Sequence, residues 1–297
     1  MDPRGVVLIT GSSTGFGRLF AETLARKGYI VFATMRDVAG RNAKNAAEIR
    51  GLGEKYSLAL YVLELDVTNE LSVQRAVDAA VTQAGRIDVA INNAGYGLFG
   101  VTEAVTTEQV QRLMDVNFFG AVRVNRAVLP HMRRQRSGLL LHISSGGGRL
   151  VIPSMAFYCA SKFALEALGE AYRYELAPQG IDSVIVEPGA FRTEAFNNLV
   201  KAEDEARSET YGAVKQFSSK LEASLSAAAA DPQELADAIL RIIETPVGQR
   251  QLRYRVAHAG LGVEEINAVC ERVQQRMLDA FGFSRDVAFP QRTTAAS

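Results

Sequence analysis

Short apolar runs alternate with longer amphipathic stretches along most of the chain, and this alternation limits the fold more than any other feature. The apolar runs are Val6 to Ile9, Ile30 to Ala33, Leu58 to Leu63, Val89 to Ile91, Leu139 to Ile143 and Ser183 to Val186. They lack strict polar alternation, which is typical of parallel strands that helices cover on both faces. Helical periodicity marks four stretches between them: Arg18 to Lys27, Val73 to Ala84, Thr107 to Arg133 and Tyr158 to Leu176. The pattern predicts an α/β fold, with a doubly wound parallel sheet of about seven strands in a single domain of residues 1–297.

Four glycines, Gly28, Gly85, Gly138 and Gly180, stand where these helices should end. Glycine adopts the left-handed conformation that closes a helix without a steric penalty. We therefore expect each helix to stop at its glycine.

The last third of the chain has a different character. Residues 195–230 are charged and alanine-rich, which predicts a long helical stretch without a strand, and we expect residues 191–230 to form a helical insertion that covers the substrate. Asp231-Pro232-Gln233-Glu234 has the order of a helix start. A last strand is expected within Gln251 to Ala257, a last helix from Val263 to Phe281, and a flexible tail over residues 290–297.

Composition excludes several classes of partner. The 33 basic and 33 acidic side chains cancel, so neither nucleic acid nor an anionic membrane surface is an expected partner. The start lacks the order of a signal peptide, and no apolar run approaches membrane-spanning length. The two cysteines, Cys159 and Cys270, lack metal-ligand spacing and favour a reducing, cytoplasmic location. The three histidines show no paired-ligand pattern, so no metal site is predicted.

A glycine-rich segment, Thr10-Gly11-Ser12-Ser13-Thr14-Gly15-Phe16-Gly17, follows the first strand and opens the first helix. Gly11 permits a tight turn, Gly15 lets the backbone approach a pyrophosphate, and Gly17 allows close helix packing. The N–H groups at the helix N-terminus favour phosphate. In this context the segment predicts a dinucleotide site of the Rossmann type, whereas the alternative is an ordinary glycine-rich turn.

Three motifs in this order resemble the short-chain dehydrogenase/reductase family: G-x-x-x-G-x-G at residues 11–17, Asn92-Asn93-Ala94-Gly95, and Tyr158-Cys159-Ala160-Ser161-Lys162. The resemblance covers roughly Val6 to Thr193 and implies a hydride-transferring oxidoreductase. The cofactor-binding residues that it implies are Gly11, Ser13, Thr14, Gly15, Phe16, Gly17, Asp66, Val67, Asn93, Ala94, Gly95, Tyr158, Lys162, Pro188, Gly189 and Thr193. Phe16 departs from the aliphatic residue usual in the family, and we expect only local repacking from it.

The end of the second strand decides the choice of cofactor. Met35 stands where NAD-preferring relatives carry a carboxylate, and methionine cannot accept from a ribose hydroxyl. Arg36 offers a permanently charged, planar fork to a 2′-phosphate, so NADP(H) is favoured over NAD(H). The alternative is that Arg36 is a solvated loop charge or a partner of Asp37.

Three further cofactor contacts are implied by the resemblance, each with an ordinary structural alternative. Asp66 would accept from the adenine amino group, or it is simply the cap of the next helix. Residues 93–95 would line the adenosine side, or they form a structural turn. In Pro188-Gly189-Ala190-Phe191-Arg192-Thr193, the threonine would hold the nicotinamide carboxamide.

Tyr158 and Lys162 are the predicted reacting pair. Hydride transfer to a carbonyl creates an alkoxide that needs a proton, and a phenol can supply it if its pKa is lowered from about 10. Lys162 lies one helical turn later, so its ammonium is expected to favour the phenolate. The resemblance implies that this lysine also holds the nicotinamide ribose.

Ser145 and Asn117 complete the predicted catalytic group. Ser144 and Ser145 both end the fifth strand, and the family's spacing of thirteen residues before the tyrosine selects Ser145 to orient the substrate oxygen. Ser144 is expected to face the sheet. Asn117 falls inside a predicted helix, where the family's asparagine distorts the helix and holds a water that relays protons to the lysine. The alternative is a satisfied buried amide.

An apolar substrate is expected. The covering segment contains Phe191, Phe196, Leu199, Val200, Tyr211, Val214 and Phe217, and the predicted pocket adds Leu98, Phe99, Leu150, Val151, Ile152, Met155 and Phe157. Together with Met35-Arg36-Asp37, these features resemble the 17β-hydroxysteroid and retinol dehydrogenase branch. A steroid, retinoid or hydrophobic ketone is the expected substrate, and a homodimer or homotetramer the expected assembly. A catalytically silent NADP-binding regulator or scaffold and a 3-oxoacyl-carrier-protein-type reductase are the alternatives.

Overall fold

A parallel sheet of seven strands forms the centre of the protein. The computed structural model describes residues 4–191, 199–217, 220, 223, 230–256 and 262–290. The strands are β1 (Val6–Ile9), β2 (Ile30–Met35), β3 (Leu60–Glu64), β4 (Val89–Asn92), β5 (Leu98–Phe99), β6 (Gly138–Ile143), β7 (Ile181–Pro188), β8 (Val200–Lys201) and β9 (Arg253–Val256). The sheet has the order β3-β2-β1-β4-β6-β7-β9, and β5 pairs separately with β8. The order reverses direction between β1 and β4, which is where doubly wound sheets bind their ligands.

Helices cover both faces of this sheet, as the alternation predicts. The α-helices of the described residues are α1 (Gly15–Arg26), α2 (Ala43–Lys55), α3 (Glu70–Ala84), α4 (Thr107–Met114), α5 (Gly120–Gln135), α6 (Ala156–Leu176), α7 (Glu205–Glu209), α8 (Pro232–Glu244) and α9 (Val263–Ala280). Val7 and Ile9 of β1 pack with α1, α2 and α8, whereas Val6 and Leu8 pack with α3 and α5. Adjacent strand residues therefore feed two apolar layers.

The helix that the sequence pattern missed is α2. It carries few apolar residues and two glycines, both of which weaken a helical pattern. Gly53 has a packing reason, because a Cβ there would lie 3.1 Å from the carbonyl oxygen of Leu60. The close approach of α2 to β3 thus conceals the helix in the sequence.

The predicted single helix from Thr107 to Arg133 is interrupted. Thr106 and Gln109 form a reciprocal capping box at the start of α4, and a π-helical turn at Asp115–Phe119 separates α4 from α5. Gly138 does not close α5, because Arg136 takes the left-handed position (φ +50°) and Gly138 begins β6. A Cβ on Gly138 would lie 2.5 Å from Met132 Sδ. Gly28, Gly85 and Gly180 do have positive φ angles at their predicted positions.

The expectation of a long helix without a strand over residues 195–230 was wrong for the part that the structure describes. Val200–Lys201 forms β8, which pairs with β5, and only the five residues of α7 and a 3₁₀ segment at Gly212–Gln216 are helical before Phe217. The backbone N–H groups of Val200 and Ala202 bond to carbonyl oxygens beside β5, which competes with helix formation. Phe196 lies outside the described residues.

The C-terminal predictions are confirmed where the structure describes them. Asp231 accepts from the N–H of Gln233 (2.9 Å) and caps α8, with Pro232 in the first turn. β9 and α9 lie within the predicted ranges. Ala257 and the tail from residue 291 onward lie outside the described residues. In the described part of the chain, none of the helices combines the length and apolar character needed to cross a membrane.

Arg250 joins the end of α8 to the sheet. Its guanidinium donates to the carbonyl oxygens of Ile242 (2.9 Å) and Ile243 (3.0 Å) and to Asp182 Oδ2 (3.2 Å). Asp182 is fully buried at the start of β7 and also pairs with Arg173. Helix-terminal carbonyls and a buried carboxylate are thus satisfied by one side chain.

Replacement of Arg250 by methionine is expected to lower the free energy of unfolding by about 3 kcal/mol, because buried carbonyls and one carboxylate oxygen lose their donor. Urea denaturation followed by circular dichroism measures the loss. Arg4→Met is the matched control, since Arg4 pairs with Glu244 at an exposed position and its loss should cost less than about 1 kcal/mol. Equal losses in the two variants would contradict the role given to Arg250.

Candidate active site

The loop after β1 makes a narrow turn around three glycines. Gly11 (φ +68°) and Gly15 (φ +57°) have left-handed backbone conformations that favour glycine. A Cβ on Gly11 would lie 2.9 Å from Ala94 Cα, and one on Gly17 would lie 2.4 Å from the Gly11 carbonyl oxygen. A Cβ on Gly15 would meet nothing within 4 Å, so Gly15 faces open space. This geometry fits a tight turn, a close helix contact and an open cradle for a pyrophosphate.

The N-terminus of α1 opens onto the same cradle. Thr14 occupies the cap position, but its side chain makes no capping hydrogen bond, and the first turn contains no acidic residue. The first N–H groups of the helix are therefore available to an anion. Ser13 is half-buried beside them.

The Phe16 ring packs in an aromatic cluster, which agrees with the local repacking expected of it. Its ring meets Phe191 edge-on (5.4 Å between centroids, 89°) and stacks on Phe20 (6.1 Å, 5°). Phe191 is fully buried where the chain leaves β7. The glycine-rich loop and the start of the covering segment therefore share one apolar contact.

Thr10 ties this loop to the segment after β4. Its Oγ1 accepts from the backbone N–H groups of Asn93 and Ala94, both at 3.0 Å. The Asn93 side chain donates to the carbonyl oxygens of Thr10 (2.8 Å) and Gly11 (3.1 Å). Asn93 and Ala94 thus make the contacts expected of a structural turn, which was the alternative to a cofactor contact. Gly95 lies beside the Asn117 and Lys162 side chains.

Arg36 follows β2 at an exposed position on the carboxyl side of the sheet. In the described ranges of the chain its guanidinium makes no ion pair. The Asp37 carboxylate instead accepts from the backbone N–H of Arg41 (2.8 Å), so the predicted alternative of an Arg36–Asp37 pair was wrong. The exposed guanidinium has the character of the other alternative, a solvated loop charge, and its exposure also leaves it accessible to a ligand at this edge.

Asp66 does not cap the helix that follows it. Its Oδ1 accepts from the N–H (2.9 Å) and the hydroxyl (2.7 Å) of Thr68, whereas Asn69 accepts from the N–H of Ser72 (2.9 Å) and caps α3. Val67 is buried against Gly120. The capping alternative for Asp66 was therefore wrong.

Tyr158 and Ser145 meet beside the 3₁₀ turn that follows β6. The two side chains lie together against this turn, since a Cβ on Gly147 would be 3.4 Å from Tyr158 Cε1 and 3.5 Å from Ser145 Oγ. Ser145 Oγ accepts from the N–H of Gly147 (3.1 Å). Ser144 points elsewhere: its buried hydroxyl lies against Gly148 and Glu166, on the α6 side. The structure places Ser145, and not Ser144, next to the tyrosine.

Lys162 lies one turn after Tyr158 on α6 and is 6% exposed. Its Nζ donates to the carbonyl oxygen of Ile143 (2.8 Å) and lies 5.8 Å from the centre of the Tyr158 ring. The ammonium is therefore fixed at the carboxyl end of β6, on the same side as the phenol.

The ionisation of this pair differs from the prediction. Burial raises the pKa of the Tyr158 phenol, and the hydrogen bond with Ser145 offsets only part of that effect. Burial lowers the pKa of Lys162 to about 8, against the opposing charge of Glu166. The expected lowering of the tyrosine pKa by Lys162 is not what the structure shows, because loss of hydration dominates for both groups.

Asn117 lies in the π-helical turn, so the predicted distortion of the helix is present. Its side chain accepts from the N–H of Tyr96 (3.0 Å) and donates to the Tyr96 carbonyl oxygen (3.0 Å) and to Ser161 Oγ (3.1 Å). The amide is thus satisfied and 2% exposed, as the structural alternative states. It holds the segment after β4 against α6.

An apolar cluster packs against the Tyr158 ring. Its buried members are Phe99, Met155 and Cys159, and Ile152 and Leu199 pack on it as Tyr158 does. Phe99, Ile152 and Met155 belong to the predicted pocket, and Cys159 packs there as the sequence indicates. Val151 was expected in the pocket but is 73% exposed.

The predicted nicotinamide segment is described only in part. Pro188 ends β7, and the N–H of Gly189 donates to the Val256 carbonyl oxygen (2.9 Å), which fixes this turn against β9. Thr193 lies outside the described residues. Among those that are described, no group of three or more His, Cys, Asp or Glu side chains is arranged to hold a metal ion.

Comparison with known proteins agrees with this geometry. The family pattern described as short chain dehydrogenase matches residues 5–204. The chain belongs to this family. As a short-chain dehydrogenase it is an oxidoreductase that acts on alcohol and carbonyl groups.

Individual relatives differ in the substrates that their names give. A 3-ketodihydrosphingosine reductase of Bacteroides thetaiotaomicron is 38% identical over 82% of this chain and 84% of its own length. The 17-beta-hydroxysteroid dehydrogenase type 1 of Mus musculus is 38% identical over 86% of this chain and 74% of its own. Human retinol dehydrogenase 8 is 40% identical over 65% of this chain and 61% of its own. The predicted resemblance to the hydroxysteroid and retinol dehydrogenase branch is confirmed.

A solved structure supports the fold of this short-chain dehydrogenase. The short-chain dehydrogenase of Streptomyces avermitilis superposes with a TM-score of 0.73, at 30% identity, over 95% of this chain and 98% of its own. The prediction of a Rossmann-type fold with a seven-stranded parallel sheet is therefore confirmed.

Sequence reasoning missed two residues that organise the site. Thr10 is a polar residue directly after the apolar run Val6 to Ile9, and that position could have indicated a hydrogen-bonding role. Glu166 follows Lys162 at helical spacing, which places the two on one face of α6.

Replacement of Gly17 by alanine is expected to weaken the binding of reduced nicotinamide cofactor by about tenfold or more, because the new Cβ forces apart the loops that form the cradle. Fluorescence titration with NADPH measures the affinity.

Gly51→Ala in α2 is the matched control, since a Cβ there meets nothing within 4 Å. It should bind cofactor as the wild type does and be more stable by about 0.5–1 kcal/mol. An unchanged affinity in Gly17→Ala would contradict the close-packing role.

Proposed function

We propose that this short-chain dehydrogenase uses NADP(H) to interconvert a secondary alcohol and a ketone, or an alcohol and an aldehyde, on an apolar substrate. The observation that carries the proposal is the meeting of Tyr158, Ser145 and Lys162 beside the glycine-rich cradle, at the carboxyl end of the sheet. Ligands of doubly wound sheets bind at this edge. Asn117 supports the group from the π-helical turn.

The bound nicotinamide would supply or accept the hydride. Tyr158 would then exchange the proton with the substrate oxygen. Its raised pKa keeps the phenol protonated through the neutral range, so it is suited to donate a proton to the oxygen of a carbonyl substrate. Ser145, which lies beside Tyr158 at the same turn, is placed to orient the same oxygen. In alcohol oxidation the proton would travel in the opposite direction.

An apolar substrate is supported by the surroundings of the phenol. Tyr158 packs on a buried apolar cluster that contains Phe99 and Met155, and Leu199 packs on the same cluster, so apolar side chains adjoin the phenol. The names of three relatives indicate a sphingoid ketone, a steroid and a retinoid as substrates, and each of these compounds is largely apolar. We propose a substrate of the same kind.

The preference for NADP(H) rests on Arg36. The guanidinium is exposed at the end of β2 and has no ion-pair partner in the described ranges, and buried Met35 leaves no carboxylate to repel a 2′-phosphate. A bidentate pair between guanidinium and phosphate is stronger than a neutral hydrogen bond.

Tyr158→Phe is expected to lower kcat by about 100-fold or more, because the variant lacks the hydroxyl that would donate the proton beside Ser145, while the affinity for NADPH stays within about threefold. A panel of steroid, retinoid and simple ketones, followed by the loss of reduced cofactor, measures this. Cofactor binding without turnover in the wild type would instead favour the alternative of a silent binding protein.

Arg36→Ala is expected to weaken NADPH binding about tenfold and to leave NADH binding nearly unchanged, since only the phosphorylated cofactor meets the guanidinium. Calorimetric titration with each cofactor checks this difference. Arg75→Ala, an exposed arginine on α3, is the control and should affect neither cofactor. Equal losses for both cofactors in Arg36→Ala would argue against the phosphate contact.

We also propose that the enzyme acts as a homodimer or homotetramer. Phe119 and Phe163 expose 47% and 39% of their surface on helical segments beside the site, and exposed aromatic rings are typical of interfaces. The molar mass in solution tests this. The cytoplasmic location expected from the sequence stays a prediction.

A further inference from the structure

A cluster of charged side chains is buried next to Lys162, and it begins one helical turn further along α6. This acidic cluster consists of Glu166 and Glu170 on α6, Glu187 on β7 and Arg253 on β9. Glu166, Glu187 and Arg253 are 2%, 0% and 5% exposed. The proposed reaction uses none of them, although burying so many charges is costly.

Arg253 is shared among the three carboxylates. Its Nε donates to Glu166 Oε2 (2.9 Å), its Nη2 donates to Glu170 Oε2 (2.6 Å), and Nε lies 3.8 Å from Glu187 Oε1. One guanidinium thus faces three acids. Burial and the charge of Glu166 raise the pKa of Glu187 to about 7, so Glu187 is partly neutral at physiological pH.

The remaining polar groups come from the elements around the cluster. Asn267 of α9 donates to both oxygens of Glu187 (3.1 and 2.8 Å) and accepts from Arg149 (2.7 Å). Arg149 also acts on Glu166 through its charge. The Arg255 guanidinium lies against Gly146, in the turn that follows Ser145.

Glu166 is the member of the cluster that lies nearest to Lys162 along α6 and against the turn that follows Ser145. It lies one helical turn after Lys162, and a Cβ on Gly148 would be 3.3 Å from its Oε1 and 2.6 Å from Ser144 Oγ. Those two oxygens are buried and have no partner elsewhere among the described residues. Arg253 holds one carboxylate oxygen, so the other is directed toward the turn that carries Ser145.

Lys162 has no carboxylate within ion-pair distance in the described chain, and its hydrogen bond goes to a neutral carbonyl. Without a nearby negative charge, a buried ammonium loses its proton readily. Glu166 lies one turn from Lys162 on the same helix and is equally buried, so its charge opposes that loss. Burial also raises the pKa of Glu166, and the charge of Arg253 acts against that rise and favours the carboxylate. Glu170 shares Arg253 but lies a further turn away from the lysine.

We propose that Glu166 is a positioning residue whose buried carboxylate keeps the Lys162 ammonium charged at the pH at which the enzyme works. The inference rests on the proposed function only for the consequence in turnover. Its electrostatic part concerns this chain alone, and Glu170 provides a matched comparison, because both carboxylates accept from the same guanidinium.

The first test is a titration of Lys162 in protein labelled with ¹³C at the lysine ε carbon, with the resonance assigned by Lys162→Arg. The wild type is expected to titrate near pH 8. Glu166→Gln should titrate at lower pH, whereas Glu170→Gln should follow the wild type. Identical titrations in all three proteins, or equal displacements in the two variants, would overturn the proposal.

A reciprocal measurement keeps the proposal testable if Glu166→Gln does not fold. In the wild type, the side-chain carboxyl ¹³C resonance of Glu166 should show a step at the pH at which Lys162 titrates, and that step should vanish in Lys162→Met. A carboxyl resonance that is the same in both proteins through this range would overturn the proposal.

The pH dependence of ketone reduction gives the consequence for turnover. Because Glu166 raises the pKa of Lys162, its removal should move the alkaline limb of kcat/KM to lower pH, with a loss at pH 9 of about threefold or more relative to pH 7. Glu170→Gln should keep the wild-type profile. An unshifted alkaline limb in Glu166→Gln would overturn the proposal. Absence of turnover in the wild type would contradict the proposed function, and the ¹³C titration of Lys162 would then decide the role of Glu166.

Discussion

The contact between the loop after β1 and the loop after β4 is the constraint on which the site depends. Gly11 and Gly17 allow the two backbones to approach until no Cβ fits, and Thr10 and Asn93 close the gap with hydrogen bonds. This contact lies where the strand order reverses, so it fixes the crevice of the sheet. The open face of Gly15 and the N-terminus of α1 are positioned by the same contact.

Burial controls the chemistry of the groups that meet in this crevice. It raises the pKa of Tyr158 and lowers that of Lys162, so both groups move toward their neutral forms. Both effects have the same cause, since charged forms lose hydration when they are buried. A charge that the fold itself supplies, from Glu166, then becomes the means of adjusting the pair, and the costly acidic cluster acquires a purpose beyond packing.

Much of this architecture could be predicted from the sequence, because local patterns encode it. Apolar runs gave the sheet, and the order of three motifs gave the family and brought Ser145, Tyr158 and Lys162 together. The helix α2 escaped because Gly53 serves a contact with β3 that no local pattern shows. The strand β8 escaped because its hydrogen-bond partner, β5, lies about a hundred residues earlier in the chain. The pKa shifts of Tyr158 and Lys162 could not be predicted, because burial is a property of the assembled fold.

The pairing of β5 with β8 has a consequence for how this protein can change. Val200 and Ala202 are held by main-chain hydrogen bonds to Gly97 and Phe99, so the attachment does not depend on which side chains they carry. Leu199, which packs on the same apolar cluster as Tyr158, can therefore be exchanged while the paired strands β5 and β8 keep their place. Insertion of a single residue before β8 would invert which side chains face inward. If the proposed apolar substrate binds against this cluster, substitution of Leu199 is thus a route by which selection, or a protein engineer, can alter substrate choice without rebuilding the scaffold.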